Sequence, residues 1–177
     1  MDDIFKDWHD FYVMVGGGAA ALTGLVFVIM TLVAARSNFL EGDDGPSSEG
    51  TSVYSSPTVV LFSTAFFTAC IALIPWPTAA CPGLFVAVLG LFGLVYIARA
   101  AVRGLRLDGY TPDLEDRTWF MALPFVAYVV LTIAGAAIAF EARYGLFTLA
   151  LATMFLILIG IRNAWDVGSY LSIKRKD

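Results

Sequence analysis

Gly16, Gly18 and Ala21, in the stretch FYVMVGGGAAALTGLVFV (residues 11–28), match the G-x-G-x-x-A turn with which dinucleotide-binding folds cradle a pyrophosphate. That turn needs a strand before it, a helix after it, and a second strand bearing an acid about 20 residues on. Here the apolar run continues to Ala34 with no polar face, and EGDDGPSSEG follows. No second strand is expected, so the phosphate reading falls. On a helix the same residues have another use. Gly16, Ala20 and Gly24 recur every four residues, as do Gly17 and Ala21, and Thr31 extends the face. Small residues at that spacing let membrane helices approach closely. The expected role is packing within a subunit, between subunits, or around a pore.

The charged residues gather near the ends of apolar runs. Arg99, Arg103 and Arg106 are spaced by four and three, hence one helical stripe. Arg162 and Asp166 lie four apart with Asn163 beside them. A polar cluster of Arg36, Asn38, Arg99, Arg103, Arg162, Asn163 and Asp166 is therefore expected on one side of a membrane. It has the chemistry to hold an anionic lipid headgroup or a partner loop. The plainer alternative is snorkelling to lipid phosphates with ion pairs to Asp113, Glu115 or Asp116.

Other chemistries find little to work with. The mid-helix polar residues Thr23, Thr31, Ser63, Thr64, Thr68, Thr132 and Thr153 can each bond back to their own helix. No Asp, Glu or His falls near the middle of an apolar run, which weighs against proton relays and ion-coupled transport. Asp7, His9 and Asp10 do not share a helix face, so no metal site is expected. Cys70 and Cys81 form no C-x-x-C motif, and whether they pair is left open. There is no G-x-S-x-G or H-E-x-x-H, so no catalytic residue or cofactor is assigned and an enzyme has no positive support.

The elements that would position these groups follow from composition. The chain has 177 residues, of which 59% are apolar and only 15% charged. Soluble domains run at ~45–50% and ~25%. A water-soluble fold this short could not bury so much apolar surface, whereas lipid removes the need. The net charge of −4 argues against a nucleic-acid partner. The acidic opening MDDIFKDWHD is unlike the basic start of a signal peptide, and none is expected.

Five apolar runs approach the ~20 residues a bilayer asks for: about 11–35, 58–74, 83–98, 119–140 and 145–161. They predict a single all-α integral membrane domain of five transmembrane helices. The acidic Gly/Ser/Pro-rich segment 36–57 reads as a mobile loop, and whether it orders on binding is left open. With the N-terminus outside and the C-terminus cytoplasmic, nine of the eleven basic residues fall inside, and only Lys6 and Arg143 outside. That asymmetry is the one the positive-inside rule demands.

The opening WHDFYVMVGGGAAALTGLVFV, together with the late RNAWD, resembles a group of small, uncharacterised bacterial multi-pass membrane proteins. The resemblance implies the bacterial inner (cytoplasmic) membrane and transfers no catalytic residue. Proteins of this kind include some labelled as modulators of a membrane-bound ATP-dependent protease, which makes that role a further alternative and nothing more. The expected function is a non-enzymatic structural or regulatory membrane protein. It assembles with itself or another membrane protein through the face of Gly16, Gly17, Ala20, Ala21, Gly24 and Thr31. A homo-oligomeric channel is the alternative, and a lipid-binding protein a further one.

Overall fold

A computed structural model describes residues 5–39, 48–104, 117–142 and 144–173. It contains five long helices and, among the described residues, no strand. A 3-10 turn, Lys6–Trp8, leads into α1 (His9–Phe39). Next come α2 (Ser48–Leu73) and α3 (Ala80–Gly104). A π-helical turn, Thr118–Ala122, opens α4 (Leu123–Ala139), and α5 spans Gly145–Ile173.

Four segments are long and apolar enough to cross a bilayer. They are Lys6–Thr31, Ala80–Val102, Thr118–Ala139 and Gly145–Asp166, of 26, 23, 22 and 22 residues. Large apolar side chains face outward on every helix, among them Phe27, Phe67, Phe92, Ile133 and Leu151. A soluble monomer rarely exposes such a belt, and with the four apolar segments it points to a membrane protein. The apolar part of α2, Pro57–Leu73, is shorter. Its position explains why. α2 touches α1, α3 and α5, and Leu61, Phe62, Ala65, Thr68, Ala69 and Ala72 are all buried. A helix at the centre of a bundle meets side chains rather than lipid, so threonines and alanines serve it well.

The helices outrun the expected spans. α1 continues through Phe39, and α2 begins at Ser48 with Pro57 inside it, so both ends of the expected 36–57 loop are helical. Extending an existing helix adds one hydrogen bond per residue fixed, so propagation is far cheaper than nucleation. Residues 40–47, the middle of that expectation, lie outside the described part.

The tightest contact in the fold joins α3 to α4, which run antiparallel. A Cβ on Gly83 would meet the backbone of Ala139, and one on Gly135 the backbone of Ala87. One on Gly90 would meet Thr132, and one on Gly93 the Tyr128 ring. Gly83, Gly90, Gly93 and Ile97 are separated by seven, three and four residues, the seam spacing of two packed helices. Without a hydrophobic drive inside lipid, such backbone proximity supplies the van der Waals attraction. Tyr128 then reaches past Gly93 to α2. Thr64 gives its proton to the Val60 carbonyl (2.8 Å), so the Tyr128 hydroxyl donates to Thr64 Oγ1 at 3.1 Å.

At one end of the bundle, Trp8 packs edge-on against Phe147 of α5, with ring centroids 4.9 Å apart. Phe5, Phe11 and Tyr12 extend this aromatic cluster. The α4–α5 turn lies at the same end. It closes with Ala142 N–H on Ala137 O (2.8 Å) and Glu141 N–H on Ile138 O (3.0 Å), a Schellman cap. Glu141 takes the left-handed position, with φ 55°.

Candidate functional site

The opposite end of the bundle carries the polar chemistry, and it begins with a missing proton. In the π-helical turn, Leu123 N–H bonds to Thr118 O, five residues back. The next amide in that register belongs to Pro124, which has no N–H, so Trp119 O loses its partner within the helix. Asn163 of α5 supplies one: its Nδ2 donates to Trp119 O at 3.2 Å. Asn163 is fully buried, so this bond forms where water cannot compete.

The other half of the Asn163 amide has no such match. Its Oδ1 is buried and without a hydrogen-bond partner, as is Thr58 Oγ1 on α2. Gly160 of α5 receives the Phe62 ring of α2. One turn further along these antiparallel helices come Asn163 and Thr58, so the register sets both unpartnered oxygens at one level. A single water between them would satisfy both.

Arg162 sits on the outer side of this junction. It pairs with Asp166 one turn on, and its guanidinium lies over the Trp119 ring, 5.6 Å from the centroid. Both side chains are about a third exposed, at 30% and 34%. The pair and the ring clamp the start of α4 to α5, and the carboxylate answers the guanidinium charge.

The expected polar cluster is therefore brought together in part. Arg162, Asn163 and Asp166 meet around Trp119, a residue the sequence did not single out. Arg99 stands exposed on α3 with no ion pair among the described residues. The expectation for Arg36, Asn38 and Arg103 lies outside the described side chains.

The expected small-residue face of α1 divides. Gly16 is buried, and a Cβ there would come within 2.9 Å of Ala69 Cβ on α2. The inward stripe continues through Ala19 and Val26, since burial follows a step of three from Gly16 to Ala19 and of seven from Ala19 to Val26. Ala20, Ala21 and Thr31 face outward. Gly17, Gly18 and Gly24 have open space where a side chain would be. The hydroxyls bond locally: Thr23 to Ala19 O and Thr31 to Val28 O, each at 2.8 Å.

Cys70 and Cys81 are both free thiols. Asp7, His9 and Asp10 are exposed. The backbone seam of Gly83, Gly90, Gly93 and Gly135 was missed by the sequence reading. Its signal was the seven-three spacing on α3, which the contiguous glycines of α1 overshadowed.

Comparison with protein-family models, with characterised proteins and with solved structures finds no match to this chain.

Proposed function

We propose that the chain is a five-span protein of a bacterial cytoplasmic membrane. In this reading its N-terminus is outside, its C-terminus is cytoplasmic, and it acts as a non-enzymatic structural or regulatory component that self-associates through α1. One observation carries the assembly: Gly17, Gly18 and Gly24 leave open space on the outer side of α1. That helix is also the least enclosed of the four long apolar segments. A second copy of α1 could approach there to backbone distance, as small-residue faces allow.

The fifth span rests on α2. Its 26 residues, at ~1.5 Å each, exceed the ~30 Å hydrocarbon thickness although its apolar part is short. Orientation rests on charge, because Arg99, Arg117 and Arg162 gather at the end of the bundle where α3 stops and α4 starts. The channel alternative gains nothing from α1: Thr23 and Thr31 give their protons to their own helix and present no organised polar lining.

The test uses full-length protein with Cys70 and Cys81 replaced by Ser and a single cysteine placed at Gly17 or Ala21. Mild oxidation in native membranes is expected to give disulfide-linked dimers. Gly17→Leu with Gly24→Leu is expected to lower the dimer fraction in nanodiscs at least threefold. A wild-type monomer in nanodiscs that yields no crosslinked product would sink the reading.

A further inference from the structure

The outer surface carries a groove beside the π-helical turn, about 470 Å³ in volume. Ala98 and Ala101 of α3 form one wall, Met121, Ala122 and Phe125 the other, and Arg117 stands at its rim. Local sequence makes it. Two alanines keep α3 low, while the wider π turn carries Met121 and Ala122 outward from the packed line of α4. The volume falls within the ~300–1,000 Å³ of small-molecule sites.

What fills it follows from the surroundings and the charge. A groove open to the bilayer interior offers water too few partners, and an empty one forfeits dispersion contacts along its walls. Hydrocarbon is the natural occupant. At the rim, Arg117 is exposed and makes no ion pair among the described residues. Arg162, by contrast, is answered by Asp166. An apolar trough ending at a guanidinium matches a hydrocarbon chain ending at a phosphate.

We propose that this groove binds an anionic phospholipid, with one acyl chain lying between α3 and the start of α4 and its phosphate on Arg117. The proposal goes beyond assembly through α1 and does not depend on it, because the groove lies on other helices.

The test is native mass spectrometry of the full-length protein in detergent. Phosphatidylglycerol and phosphatidylcholine of identical chains are supplied in equal amounts. Wild type is expected to retain the anionic lipid about fivefold over the zwitterionic one, the preference one surface cation supplies. Arg117→Gln, an exposed change that leaves packing intact, is expected to bring that ratio to about one. Ala101→Phe with Ala122→Phe, which fills the trough, is expected to lower retention of both lipids at least threefold. Lys6→Gln, at the other end of the bundle, is expected to change neither. Free glycerol phosphate is expected not to displace the lipid; displacement would mean that the site reads phosphate without a chain, and overturns the proposal. So does a wild-type ratio near one, or a preference that survives Arg117→Gln. If filling the trough alters oligomeric state while lipid retention stays constant, the occupant is a second copy and the lipid assignment is wrong.

Discussion

The α3–α4 seam and the outer side of α1 are built from the same residue type and use it in opposite ways. On the seam, Gly83 and Gly135 bring two backbones so close that a single added carbon would strike main-chain atoms. On α1, Gly17, Gly18 and Gly24 meet nothing. A glycine in a membrane helix is thus no evidence of contact by itself. The difference lies in the partner. α4 presents Gly135 and Thr132 at the level of Ala87 and Gly90, so small meets small across the interface. Beyond the outer glycines of α1 there is no second helix among the described residues, and that surface is open to lipid or to another subunit.

The largest expected effect breaks the sealed side of this comparison. Gly135→Leu puts its Cβ into the backbone of Ala87 and against the Gly83 carbonyl, and no rotamer choice moves a Cβ. α3 and α4 must separate, at a cost above the ~1–3 kcal/mol of ordinary overpacking. Gly18→Leu adds the same side chain to an open position and is expected to stay within ~0.5 kcal/mol of wild type. Reversible unfolding in mixed micelles measures both. Equal losses for the two variants would erase the distinction between sealed and open glycines.

A smaller effect tests where the seal ends. The contact between α3 and α4 involves backbone as far as Gly90 and Thr132 and ends with the Tyr128 ring on Gly93. Beyond that, at the start of α4, Asn163 holds Trp119 O and the Arg162–Asp166 pair lies over Trp119. Asn163→Leu keeps the volume roughly but leaves the Trp119 carbonyl without a donor, for an expected loss of about 1–3 kcal/mol. Hydrogen–deuterium exchange is expected to rise at 118–126 and to stay constant along the Gly83–Gly135 contact. A rise spread over both regions would mean that the seam depends on the polar junction.

How far these two regions were legible in the sequence differs for a physical reason. Apolar run lengths make five helices readable without any packing information, and the i,i+4 spacing of Arg162 and Asp166 makes their pairing readable too. Both are local properties of one helix. The role of Asn163 is not local. It depends on an absent amide at Pro124, 39 positions back by the numbering, and on α5 packing against the π turn. The conspicuous GGG of α1 misleads for the same reason. A single helix shows which of its faces are small, but not which of them another helix covers. Of that motif only Gly16 is closed over, by Ala69 of α2.

The smallest effect sharpens the comparison by adding a third use of glycine, at a position where this chain has none. Glu141 is exposed, so nothing crowds its side chain, yet its φ of 55° lies in the left-handed region at the Schellman cap between α4 and α5. There the demand is conformational, since an L side chain pays ~1–2 kcal/mol to adopt that backbone and glycine does not. Against this, glycine gives the unfolded chain more freedom to lose, which returns part of the gain. Glu141→Gly is therefore expected to stabilise the protein by about 0.5–1 kcal/mol, read as a rise in the unfolding midpoint. Glu141→Ala, which keeps the Cβ, is expected to give no such gain. Placing Gly135, Gly18 and residue 141 on one scale separates the three demands: space denied by a neighbouring backbone, space left open, and a backbone angle that only the smallest residue adopts freely. If Glu141→Ala stabilised as much as Glu141→Gly, the gain would come from removing the carboxylate's charge, and backbone angle would not belong on that scale.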